Sequence, residues 1–597
     1  MVKPQYILNS YPVESIFTFI KSGDIAIPEI QRPFVWDAAK VRNFLDSLYR
    51  GYPVGFLIAW KNPNVVLKDG RSAEGKKILI DGQQRVTALM AALLGMEVVT
   101  KDYRKGRIRI AFHPLREAFE VANPAIAKSA EWIPDVATLF DPHVDLLQIT
   151  ADYCLRNPDI TQTEILKQLM SLQKITTNTL GVIELSPELD IETVTDIFIR
   201  VNSEGVPLGQ ADFAMSRIAV DTEHGGSDLR KAIDYFCHLA KSPTFYESVL
   251  NDKAFAKTPY FRQISWLKHE MDDLYDPSYI DMLRVTFAAE FGRGKLGDLV
   301  ALLSGRNFET KQFEEAITAD SFARMQASVM HFVNEHNFRH FTQSINGAGF
   351  IDSSMIGSQN ALNFAYALFL TLRGQGKPIA QIQKSVGRWF AMSSLTGRYS
   401  ASPETAIEQD IRNARQGSFA DYANDVYAAQ FGDTFWEVML PRQLETASST
   451  SPAFRVFLAA QVKLQDRGFL TNEFSVGDLI KSLSNVHHVF PADFLKKQGL
   501  DRTRYNQVAN FVVMPTEINI QISNKEPRVY FGHLHEQVSG GQLRYGTITD
   551  PAALQKNLLQ NCIPPEIAAM GIDEYPAFLA ERRKLMAQKI RTYFEAL

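Results

Sequence analysis

In the stretch "DAAKVRNFLDSLYRG" the apolar residues Val41, Phe44, Leu45 and Leu48 recur at helical spacing. The pattern predicts a helix that opens on Asp37 as N-cap and closes at Gly51 and Pro53. "VGFLIAW", "KKILI" and "RIRIAF" read as strands, the last alternating basic and apolar residues. "IETVTDIFIRVNSEGVPLGQADFAMSRIAV" reads as a helix, a polar loop around Asn202–Gly205, and a second helix. The first 220 or so residues are therefore expected to be mixed α/β. From about 225 to 440 helical periodicity dominates, as in "NALNFAYALFLTLRGQGK", broken by the loop "SINGAGFIDSSMIGSQ". "TASSTSP", Thr446 to Pro452, has the composition of a linker. A short α/β region follows, holding "SNVHHVFPADF" and "VANFVVMPTEINIQISNKEP". The expected fold class is α+β multidomain, divided into residues 1–224, 225–445 and 446–597. No internal repeat or low-complexity tract is present.

Charge changes this picture modestly. The 597-residue chain carries −4 overall. Residues 1–110 hold 17 Lys/Arg against 10 Asp/Glu, and residues 481–597 hold 14 against 11, so the acidic excess lies between them. An anionic partner is expected at the two mildly basic ends, although solvated surfaces show such fluctuations too. Three widely spaced cysteines without a CxxC pair exclude a disulfide framework and a cysteine zinc site. With no signal-like N-terminus and no long apolar run, the expectation is a cytoplasmic protein without a membrane span.

Candidate chemistry falls at both basic ends. In "ILIDGQQRVTAL" a strand becomes a helix at Asp81-Gly82-Gln83-Gln84-Arg85. Unpaired N–H groups at a helix start attract anions, and Gly82 permits a sharp turn and close approach to a ligand. Arg85 adds donors suited to phosphate, and the two glutamines can bond phosphate, sugar or base. This is not a Walker A loop. Upstream, "IPEIQRPFVWD" offers Gln31, Arg32 and Trp36. A structural reading competes: Arg32 and Arg85 as surface ion-pair partners, and Trp36 as core.

"VHHVFP" places His487 and His488 on a short strand, where neighbouring side chains face opposite ways. A division of labour follows, one imidazole binding metal and the other activating water. Twenty-one residues separate His488 from Asn510, and eight separate Asn510 from Asn519. That is the outline of a ββα-metal (HNH) nuclease. Phosphodiester cleavage needs a base near neutral pKa, a divalent ion, and a group that fixes the base's tautomer. The expected roles are His488 as general base, His487 and Asn519 as metal ligands, and Asn510 as support for the base. Asn519 is a weak ligand, which suits Mg²⁺ or Mn²⁺ better than Zn²⁺. Asn524 and Lys525 are candidates for phosphate contact, whereas His533 and His535 read as core or surface. Here too a structural reading competes, since adjacent histidines pack in cores and loop asparagines cap turns.

The stretches "IPEIQRPFVWDAAKVRNFLDSLYRGYPVG", "LIDGQQRVTAL" and "IFIRVNSEGVPLGQADF" together resemble the N-terminal domain of the GmrSD-type, modification-dependent (type IV) restriction endonucleases. "HHVFP", "VANFVVMP" and "INIQISNK" resemble the HNH-like C-terminal domain of the same enzymes. The resemblance implies a ParB/sulfiredoxin-like α/β N-terminal domain, a largely helical middle and an HNH C-terminal domain. It implies that Asp81, Gly82, Gln83, Gln84 and Arg85, with Gln31, Arg32 and Asn202, bind and hydrolyse a nucleoside triphosphate. It implies modified double-stranded DNA as substrate. "GRYSASPET" at Arg398 also resembles a stretch of these enzymes, without assigned chemistry. Two other readings stay open: a nucleotide-switched DNA-binding regulator with an inactive HNH domain, and a toxin-like nuclease restrained by its front domain. A homodimer is left open.

Overall fold

The computed structural model describes residues 5–22, 24–26, 36–61, 77–99, 105–186, 189, 197, 210–221, 223–270, 272–312, 314–482 and 486–597. Gln31, Arg32, Asn202 and most of the first helix expected before Asn202 lie outside them. Two compact units divide at Asp221/Thr222.

The first unit is built on a mixed five-stranded sheet. Its strands are β1 (Tyr6–Pro12), β2 (Ile25–Ala26), β3 (Phe56–Lys61), β4 (Lys77–Asp81) and β5 (Thr179–Leu185), in the order β1-β5-β3-β4-β2. β3 runs antiparallel to β4 and parallel to β5, with a register shift between Ile58 and Ala59. Leu57, Ala59, Leu79, Leu180 and Val182 line one face, and helices α1 (Val13–Ser22), α2 (Ala38–Tyr49) and α3 (Gln83–Leu93) join them in one core. α2 follows from its sequence pattern. Asp37 accepts from the Lys40 N–H, and Val41, Phe44, Leu45 and Leu48 are buried. Each such side chain stabilises the fold by roughly 1.5–3 kcal/mol. Trp36 packs edge-on against Phe44 at 5.4 Å, at the margin of this core.

"RIRIAF" forms a strand only over Ile110–His113, paired with Ala118–Val121. Arg107 and Arg109 instead turn to Asp135, at 3.1 and 4.0 Å. That long-range carboxylate leaves no mark in the local alternation.

The second unit is mainly helical. Gln359–Gly374 is buried at every position from Ala361 to Leu372. A helix that is covered all round is a core helix. Tyr366 stacks on Phe341 at 4.4 Å. In "GRYSASPET", Arg398 grips the fully buried Asp410 with two nitrogens at 2.6 and 2.7 Å, and the Tyr399 and Tyr422 hydroxyls donate to the same carboxylate. Every oxygen of that carboxylate is used, so the motif pins helices together.

After residue 446 come α4 (Pro452–Lys463), β6 (Val486–His488), α5 (Ala492–Lys497), α6 (Arg502–Tyr505), β7 (Phe511–Val513), α7 (Thr516–Ile522), α8 (Pro527–Val538) and α9 (Tyr575–Ala596). They pack directly on the preceding helices. Lys463 Nζ donates to the Gly347 carbonyl at 2.7 Å, and the buried Tyr593 hydroxyl to that of Ala348 at 2.6 Å. "TASSTSP" is not a free linker: Thr446 accepts the Val508 N–H at 2.9 Å, and α4 begins at Pro452.

Candidate functional site

In the first unit Gly82 links β4 to α3 with φ +92°, a conformation that favours glycine. A Cβ there would lie 2.2 Å from Leu57 Cδ2. The glycine therefore serves the sharp turn expected of it and its packing on β3. Arg85 Nη1 donates to the Phe56 carbonyl at 2.8 Å and lies 3.3 Å from Asp81 Oδ2. Its partner is thus one turn away, in line with the structural reading. Gln83 Nε2 donates back to the Leu79 carbonyl at 3.2 Å. Asp81, Gln83 and Arg85 brace the strand-to-helix turn, with the Arg85 side chain about a quarter exposed.

In the second unit β6 and β7 pair antiparallel in a two-stranded sheet, with His487 opposite Val512 and His488 opposite Phe511. The two imidazoles leave the strand on opposite faces. The His488 ring stands edge-on to Phe511 at 5.1 Å. Its Nε2 lies 3.2 Å from Asn506 Oδ1. Burial holds the His488 pKa below the usual imidazole value, with neighbouring His487 and Lys496 adding to the shift and Asn506 opposing it. Burial lowers His487 as well. Both are therefore poised as neutral imidazoles, the form that ligates metal and accepts protons.

His487 Nε2 is buried and has no hydrogen-bond partner among the described residues. An orphaned imidazole nitrogen costs free energy unless something binds it. Asn519, on α7, is half-buried and its side chain makes no hydrogen bond to a described residue. An imidazole nitrogen and an amide oxygen are each ligand types that a hard or borderline divalent cation accepts. They form no His/Cys/Asp/Glu triad; among the described residues that arrangement occurs at Glu223, His224 and Glu315.

Asn510, expected to support the base, bonds the backbone beside it. It is fully buried. Its Oδ1 accepts the Phe490 N–H at 2.8 Å, and its Nδ2 donates to the carbonyls of Phe490 and Tyr505 at 3.0 and 3.2 Å. It closes the backbone beside His488 and does not touch the ring. The Tyr530 hydroxyl donates to the Val489 carbonyl at 2.9 Å, and the buried Arg582 to that of Ala509 at 2.8 Å. Burial lowers the Arg582 pKa to about 10, so it stays charged at neutral pH. The ring's own partner, Asn506, escapes sequence reasoning; its only signal is an amide four residues before Asn510.

Lys525 Nζ caps the end of α7 through the Gln521 and Ile522 carbonyls, at 3.2 and 3.4 Å, while Asn524 is exposed. His533 Nδ1 pairs with the Tyr545 hydroxyl at 3.0 Å, a structural contact. Among the described residues no helix is long and apolar enough to cross a membrane.

No curated protein shows significant similarity to the chain. Residues 13–219 match the family model of the GmrSD restriction endonuclease, N-terminal domain, which supports a restriction-endonuclease role and marks that stretch as a GmrSD-type N-terminal region.

Proposed function

We propose that the chain is a divalent-metal-dependent DNA endonuclease of bacterial defence, cutting modified foreign DNA in the cytoplasm under nucleoside-triphosphate control. The observation that carries this reading is the pairing of an orphaned, buried His487 Nε2 with a neighbouring His488 whose ring is held by a hydrogen bond. β6 pairs antiparallel with β7 across the inserted helices α5 and α6, and α7 follows β7, an arrangement compatible with a ββα-metal nuclease. His488 takes the proton from the attacking water. His487 and Asn519 would hold Mg²⁺ or Mn²⁺, which when bound neutralises charge on the scissile phosphate and the leaving oxygen. Asn510 holds the backbone that follows His488 and so fixes the strand from which the two imidazoles project.

In the same reading, the Asp81-Gly82-Gln83-Gln84-Arg85 turn receives the triphosphate. The start of α3 and the partly exposed Arg85 fork offer donors, and Asp81 steadies that fork. Gln31, Arg32 and Asn202 are assigned to the same pocket by resemblance.

The test is cleavage of phage DNA carrying glucosylated hydroxymethylcytosine or phosphorothioate, beside unmodified DNA, with Mg²⁺ and with each triphosphate in turn. Preferential, triphosphate-dependent cutting of one modified DNA is expected. Cutting that ignores both modification and nucleotide would overturn the regulatory half of the proposal, and no cutting would favour the inactive-regulator reading.

A further inference from the structure

Asn506 touches two partners that together determine what it does to His488. Its Nδ2 donates to the Ala447 carbonyl at 3.3 Å, and its Oδ1 faces His488 Nε2 at 3.2 Å. A carbonyl oxygen can only accept, so the amide nitrogen must face Ala447. With the amide reversed, two oxygens would oppose each other. The oxygen is thereby committed to His488, and it too can only accept. His488 Nε2 must then carry the hydrogen, which leaves the lone pair on Nδ1.

The carbonyl of Ala447 is itself fixed. Thr446 accepts the Val508 N–H at 2.9 Å, and Glu445 pairs with Arg583 at 3.5 Å. Arg583 reaches Gln507 Oε1 at 3.4 Å, and Arg582 holds Ala509. The strap of residues 445–447 and the helix α9 thus grip the whole segment from Asn506 to Asn510 on both sides.

We propose that Asn506 is the positioning residue of the nuclease site, fixing His488 in the Nε2–H tautomer with Nδ1 as the base atom, and that residues 445–447 set Asn506 in turn. The inference rests on the endonuclease reading for its catalytic consequence, but not for the tautomer. It also accounts for the start of "TASSTSP", where the strap joins the helical region to Asn506, the side chain that holds the base by a hydrogen bond.

Two substitutions separate positioning from packing. Asn506→Leu keeps the branched shape and the number of side-chain heavy atoms and removes both hydrogen bonds. Asn506→Asp keeps an acceptor toward His488 whichever way the side chain turns, and replaces the donor toward Ala447 by an oxygen that opposes its carbonyl. Groups behind metal-binding histidines are worth about 10–100-fold, and the same scale is taken for this base. Asn506→Leu should lower kcat for DNA cleavage by that factor, with KM for DNA and the Mg²⁺ requirement unchanged. Asn506→Asp should recover most of the rate. Equal loss in both variants would show that Asn506 only ties the strap, and a wild-type rate in Asn506→Leu would remove it from the site. Protein labelled with ¹⁵N in its histidine rings reads the tautomer without DNA or metal, with His488 assigned by its loss in His488→Gln. An Nε2–H ring in the wild type and a mixture in Asn506→Leu support the inference, and an Nδ1–H ring in the wild type overturns it. If no form cuts DNA, the endonuclease reading falls while the ring spectra still decide the tautomer.

Discussion

Asn510 Oδ1 accepts the backbone N–H of Phe490 at 2.8 Å from a fully buried position. Removing that amide would leave a buried N–H and two carbonyls without their partner, a loss of about 2–4 kcal/mol. Asn510→Ala is therefore expected to lower the stability of the second unit in denaturant melts. Asn519→Ala, at a half-exposed site without a side-chain hydrogen bond to a described residue, should leave the melt unchanged and raise the Mg²⁺ concentration needed for cutting. Equal melts for wild type and Asn510→Ala would contradict the structural role.

Gly82 and Arg85 make separable predictions on the other unit. At φ +92° with Leu57 behind it, Gly82→Ala should destabilise the first unit by about 2–4 kcal/mol. Arg85→Ala should weaken triphosphate binding about ten- to a hundredfold by removing charge-assisted hydrogen bonds. Calorimetric titration of triphosphate measures the second effect. Unchanged binding in Arg85→Ala would leave the Asp81–Arg85 pair a brace and nothing more.

Asp276 gives the second unit a pH signature. Burial pushes its pKa up to about 6, with Asp273, Asp272 and Glu270 adding to the shift and Lys241 opposing it, and its Oδ1 is buried without a hydrogen bond. Its folded pKa lies above the unfolded value, so its contribution to stability is full below about pH 4 and is lost as pH rises through about 6. Asp276→Asn should stabilise the protein by roughly 1–2 kcal/mol at pH 7.5 and by nothing at pH 4. Thermal melts at the two pH values check this, and a gain that is the same at both would refute it.

What can be read from the sequence is local. α2 is legible because Val41, Phe44, Leu45 and Leu48 repeat at one period and Asp37 caps them. The polar break at Asp81–Arg85 is legible as a turn, but its reason is not. Leu57, which forbids a side chain at residue 82, sits on a strand 25 residues earlier, and no periodicity links the two. Likewise His487 and His488 announce themselves as a pair on a strand. Their support does not: Ala447 contributes only a carbonyl, which every residue has, so nothing in its identity marks it. Asn510 stands out by its spacing as support for the base, but spacing cannot tell whether its side chain meets the imidazole or the backbone next to it. Arg107 likewise reads as part of a strand until Asp135 claims it.

The most direct test of His488 as the base of a metal-dependent cut is single-turnover cleavage of a susceptible DNA by purified wild type and His488→Ala, with Mg²⁺ or Mn²⁺ and with excess chelator. Loss of a general base typically lowers the rate by about 10²–10⁴-fold. The account predicts that loss in His488→Ala with an unchanged melt, and no cutting by either protein in chelator. Cutting by His488→Ala at the wild-type rate, or cutting that survives the chelator, would contradict it.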